Sequence, residues 1–138
     1  MKTSIIAMAA GLSLLAGTPA LARDFTPEQI IQRHMAFGAK GDVAGMAGDY
    51  AEDGVILSAG TVVRGKAAIH ASIARLLGPK AAKMDIRPVK ITHEGDVGIV
   101  FWQVPNGPHG EDAFLVRHGK ILVQAVFMGA TPAAPGKR

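Results

Sequence analysis

The chain has 138 residues, a formal net charge of +4 and no cysteine. That is enough for one domain with one hydrophobic core, held without disulfides or thiol chemistry. Its lysines and arginines are scattered rather than clustered on one face with stacking aromatics, which excludes nucleic-acid binding and leaves the high pI as a matter of solubility.

Residues 1–22 read as a secretory signal peptide. Lys2 supplies the positive end, Ile5 to Leu15 the apolar stretch, and Ala20-Leu21-Ala22 a small-x-small cleavage site. The apolar stretch is too short to span a bilayer, and no later segment approaches that length. The expectation is a secreted or periplasmic protein beginning at Arg23, with no membrane contact after cleavage. Losing Lys2 lowers the balance to +3.

The domain is expected over 23–129. Thr26-Pro27-Glu28-Gln29 has the grammar of a helix start, with Thr26 as cap, Pro27 in the first turn and Gln29 completing a capping box. Ile30, Ile31, His34, Met35 and Phe37 follow at helical spacing and predict a buried stripe. Gly38 and Gly41 end that helix. Asp42 caps a second, shorter one running to Tyr50, weakened by Gly45 and Gly48. Two short alternating strands, VILS and TVV, meet at Ala59-Gly60. A third helix starts near Lys66, with Ile69, Ile73, Leu76 and Leu77 on one face and Gly78-Pro79 as its stop.

Beyond Lys83 the apolar period changes to two. Met84 to His93, Val97 to Val104, Asp112 to Arg117 and Lys120 to Met128 predict four strands, turned at Glu94-Gly95-Asp96 and His118-Gly119. Pro88 asks for an edge or bulge. The order is ααββαββββ, an α+β domain with an antiparallel sheet. Alternation along the last strand puts Ile121, Val123, Ala125 and Phe127 on one face and Leu122, Val126 and Met128 on the other. Three short helices cover only one side of such a sheet, so a second copy is expected on the other, giving a homodimer. The tail at 130–138 reads as disordered.

The segments PEQIIQRHMAFGAKGDVAGM, DYAEDGVILSAGTVVRGKAAI and FLVRHGKILVQAVF resemble the nuclear transport factor 2-like superfamily, which includes SnoaL-like cyclases and ketosteroid isomerases. The resemblance covers about Thr26 to Met128. It implies a cone in which a strongly bent sheet wraps three helices around a central pocket. It also places His34 where the isomerases carry an oxyanion-stabilising tyrosine, Tyr50 at an aromatic position, and Asp112 near a second oxyanion-binding acid. Ser58 stands where those enzymes place their proton-removing carboxylate, and a serine hydroxyl is no base near neutral pH without an activator.

His34 reads either as a core histidine bonded to a carbonyl or as a pocket-lining donor or base. Asp112 shares a strand face with Phe114 and Val116. In a dry pocket its pKa would rise or it would pair with His34; otherwise it is a strand-end residue facing water. Phe37, Tyr50, Ser58, Trp102, Phe114 and Phe127 are candidate ligand-binding residues, and either Phe101 or Trp102 faces inward. His34, His70, His93, His109 and His118 lack paired metal-ligand spacings, and glycine-rich phosphate loops and nucleophile turns are absent, so neither metal nor cofactor is expected.

The leading expectation is a domain binding a small, mostly apolar molecule in a central pocket. The alternatives are a cyclase, isomerase or hydratase using a His34-Asp112 acid-base pair, and a pure dimerisation domain.

Overall fold

The computed structural model describes residues 25–81 and 85–129. The leader expected over 1–22, the cleavage point at Arg23 and the tail expected over 130–138 lie outside the described residues. Within them the chain forms α1 (Pro27–Lys40), α2 (Val43–Gly48), β1 (Tyr50–Ser58), β2 (Thr61–Arg64), α3 (Lys66–Ala81), β3 (Arg87–Glu94), β4 (Val97–Gln103), β5 (His109–Arg117) and β6 (Lys120–Met128). This is the predicted ααββαββββ order. Among the described residues no helix is long and apolar enough to cross a membrane.

The first helix starts as its residues dictate. Thr26 accepts from the Gln29 backbone, and the Gln29 side chain returns the bond to the Thr26 N–H. Gly41 closes the helix with φ of 68°, a left-handed cap that glycine takes without cost. The second helix stops at Gly48, so Tyr50 opens a strand instead of closing a helix.

The six strands lie in the order β2-β1-β6-β5-β4-β3. Every neighbouring pair is antiparallel except β1 and β6, which run parallel from Tyr50 opposite Ile121 to Ser58 opposite Val126. The sheet is therefore mixed, not wholly antiparallel as expected. The reason is topological. After β2 the chain leaves through α3, restarts at the far edge with β3, and winds back inward, so β6 arrives beside β1 pointing the same way.

Irregularities bend the sheet at three places, between Tyr50 and Val55, between Pro88 and Lys90, and between Leu115 and Val116. Each extra residue kinks its strand and deepens the local twist. The bent sheet wraps one layer of helices: α1 packs on β3, β4 and β5, while α3 packs on β1 and β2. Ile30, Ile31, Ile69, Val100, Phe114 and Ile121 fill the core between them.

Two details depart from the alternation read along the chain. The irregularity facing Leu115 and Val116 moves Ile121 into the core, on the side of Gln124 and not of Phe127. Leu76, expected in the buried stripe of α3, is 72% exposed, while Ile69, Ile73 and Leu77 are buried.

Candidate functional site

The helices do not fill the bent sheet. A cavity of about 570 Å³ remains, reached by α1, α2, α3 and the inner face of β1, β4, β5 and β6. Its walls are mostly apolar, with Met35, Met46, Ile56, Ile73, Leu77 and Val126 among them. Leu76 and Met128, both largely exposed, stand at the mouth. At the other end lie the buried groups His34, Tyr50, Trp102, Asp112 and Gln124.

His34 reaches this end because it follows Ile30 by one turn on the inner stripe of α1. Its Nδ1 lies 3.3 Å from Oδ2 of Asp49, a buried carboxylate at the junction of α2 and β1. The other Asp49 oxygen accepts from Nε of Arg33 at 2.8 Å. Arg33 also sits with its guanidinium over the Phe25 ring. With Arg33 donating to its other oxygen, Asp49 is the acceptor of the pair and the His34 Nδ1 the donor. The ring is held edge-on by Tyr50 and Phe114, with centroids 5.5 and 5.8 Å away. Nε2 of His34 is buried and has no hydrogen-bond partner among the described residues. An unsatisfied buried nitrogen is uncommon, and here it belongs to a side chain lining the cavity.

Asp112 belongs to a separate chain of bonds. Trp102 Nε1 donates to its Oδ1 at 3.0 Å and Gln124 Nε2 donates to its Oδ2 at 2.7 Å. The Tyr50 hydroxyl in turn donates to Oε1 of Gln124. Burial pushes the Asp112 carboxyl up; the bonds from Trp102 and Gln124 and the nearby His34 offset part of the rise. Burial also raises Tyr50 far above the ordinary phenol range, with Asp112 and Asp49 adding to it. The phenol is therefore neutral and serves as a donor.

Tyr50, Ser58 and Trp102 line the cavity together with His34 and Asp112. The pairing of β4 with β5 sets Trp102 opposite Gly110 and turns it inward, leaving Phe101 on the outer face beside His109. The remaining candidates do not line it. Phe37 rests on Gly45, where a Cβ would collide with its ring. Phe114 is buried behind His34. Phe127 is 60% exposed on the outer face, since it alternates with Gln124 and Val126, and the irregularity before Val123 parts it from the buried Ile121 with which plain alternation groups it. Asp49 and Gln124 do not figure among the sequence candidates, yet they hold His34 and Asp112 in place. Asp49 reads locally as the end of a helix, and Gln124 as a single polar residue in an apolar strand. Among the described residues no group of three or more His, Asp or Glu side chains gathers where a metal ion could sit.

Residues 31–123 match the family model of the SnoaL-like domain. No protein of curated function matches the sequence. Solved structures share the fold. An NTF-2 like protein of unknown function from Burkholderia xenovorans superposes with a TM-score of 0.67 at 20% identity, over 79% of this chain and 87% of its own. A candidate polyketide cyclase from Sinorhizobium meliloti gives 0.62 at 22% identity, over 70% and 92%. An epoxide hydrolase/cyclase-like enzyme of pyran ring formation in the polyether salinomycin gives 0.62 at 22%, over 74% and 89%.

Proposed function

The chain belongs to the SnoaL-like domain family, and on that premise we propose that it is an exported, homodimeric protein whose cavity binds one small, mostly apolar molecule. The observation that carries this reading is the unpartnered His34 Nε2 at the buried end of an apolar cavity. A cavity of about 570 Å³ is the size that takes a single small organic molecule. Apolar walls supply affinity, and the few polar groups at one end fix orientation. Ser58 lines the same cavity without the basicity to remove a proton, so binding does not entail the isomerase reaction.

Export rests on the leader read over 1–22, and the homodimer on the outer face of the sheet. There Leu57, Ala125, Ala113 and Ile99 lie side by side in register across β1, β6, β5 and β4. An apolar row of this kind is what a second copy would cover.

A second reading is favoured by the Asp49–His34 hydrogen bond. A carboxylate that orients a histidine and leaves its far nitrogen toward a cavity is an arrangement for general acid-base chemistry, with Asp112 as the second ionisable group. That would make the protein a cyclase, isomerase or hydratase, in line with the candidate polyketide cyclase and the cyclase-like enzyme among its structural relatives. A domain serving assembly alone has no use for an open cone.

Native mass spectrometry of the protein recovered from the periplasm tests the first reading. A dimer carrying one retained small molecule per subunit is expected. A bare monomer that takes up no apolar compound would contradict it.

A further inference from the structure

The hydrogen-bonding groups at the buried end of the cavity are unevenly spent. The Trp102 N–H is given to Asp112, the Tyr50 O–H to Gln124, and one Gln124 N–H to Asp112. Of the N–H and O–H groups on these side chains and His34, one amide hydrogen of Gln124 is left over. Acceptors are in surplus. Nδ1 of His34 faces Asp49, and in a neutral ring a proton held there leaves a lone pair at Nε2, which has no partner among the described residues. Each Asp112 oxygen receives one bond and has a lone pair to spare. Among the described residues no Lys or Arg lines the cavity. Asp49 has Arg33 as its counter-charge, whereas Asp112 has two neutral donors and, among the described residues, no salt bridge.

We propose that the cavity selects its ligand through hydrogen-bond donors, and that its ligand class is an apolar molecule ending in a protonated amine. This rests on the binding reading above and names the chemistry of the same site. An ammonium has donors only, so it can meet the spare lone pairs of Asp112 and, with the ring neutral, that of His34. It also supplies the positive charge that Asp112 lacks. A carboxylate in that place faces two sets of acceptors and the Asp112 charge. A ketone finds one amide hydrogen and the hydroxyls of Ser58, Thr61 and Ser72, none of which supplies the charge that Asp112 lacks. A hydroxyl satisfies one acceptor and leaves Asp112 without a counter-charge.

The test uses four probes of one shape, para-tert-butylbenzylamine, the corresponding benzyl alcohol, the benzoate, and the hydrocarbon para-tert-butyltoluene, titrated into the full-length mature protein by calorimetry. The amine is expected to bind about tenfold tighter than the alcohol, the alcohol to match or exceed the hydrocarbon, and the benzoate to bind weakest. A hydrocarbon or benzoate that binds as tightly as the amine overturns the donor rule while leaving the cavity as a binding site. Binding by none of the four removes the cavity reading as well. The wild-type series decides the matter alone. In Asp112→Asn, checked for folding by circular dichroism, the preference for amine over alcohol should vanish, and its persistence would overturn the role given to Asp112.

Discussion

His34 and Asp49 are joined by a buried contact of 3.3 Å between Nδ1 and Oδ2, while the opposite nitrogen of the same ring has no partner. One carboxylate thus determines which face of the imidazole is available to the cavity. It does so with Arg33 on its other oxygen, so the orienting group is itself held. The function proposed for the chain depends on this polarity of the ring.

Removing the orienting carboxylate should loosen both partners. In Asp49→Asn the pair with Arg33 is lost, and an amide replaces the anion that fixes the His34 proton. Arg33 is partly exposed, so its share is small and screened. The buried bond to His34 dominates, and a loss of about 2 kcal/mol in urea-induced unfolding is expected. Wild-type stability in the variant would show that Asp49 does not hold the ring.

Tyr50 is the one tyrosine of the chain, so an alkaline absorbance titration reads it alone. Burial raises its folded pKa above the ordinary value of 10.0. A phenol that holds its proton more tightly when folded favours the native state below its unfolded pKa. That stability is lost as pH climbs above about 10. Phenolate should therefore appear together with loss of secondary structure. A reversible transition near pH 10 in a protein that stays folded would contradict the buried network.

Asp112 carries the same sign at the acidic end. Its folded pKa is raised, chiefly by burial, so between the unfolded value of 3.8 and the folded one the native state holds more protons than the unfolded state. Its contribution is greatest below the unfolded value and falls as pH rises through the folded one. Subtracting the stability profile of Asp112→Asn from that of the wild type isolates this group among the other carboxylates. The difference should decline with rising pH over that window. A difference that climbs with pH would mean a carboxylate stabilised by the fold.

The outer face of the sheet offers a separate check. Ile99 is 42% exposed and stands opposite Ala113 in the apolar row. Ile99→Lys places a charge where a second copy would pack, and the sedimentation coefficient should fall from dimer to monomer with the circular dichroism spectrum unchanged. An unchanged dimer would place the interface elsewhere.

Local grammar was legible wherever one segment decides its own structure. The capping box of Thr26 and Gln29, the left-handed Gly41 and the turn at His118-Gly119 all follow from neighbours a few residues apart. The parallel pairing of Tyr50 with Ile121 was not legible, because it joins residues about seventy positions apart and leaves no trace in either periodicity. The same distance hid the link from Tyr50 through Gln124 to Asp112. Phe127 was misplaced by a single irregularity in β6, since one extra residue exchanges the two faces of a strand. Asp49 was hidden by local context, as the residue ending a helix says nothing about a histidine fifteen positions earlier.

The most direct measurement is nitrogen NMR of the His34 ring while para-tert-butylbenzyl alcohol is titrated into the protein. A ring protonated at Nδ1 is expected, with a bare Nε2 whose resonance moves as the hydroxyl arrives while Nδ1 stays in place. A proton found on Nε2 in the free protein, or both nitrogens unmoved by a probe that binds, would contradict it.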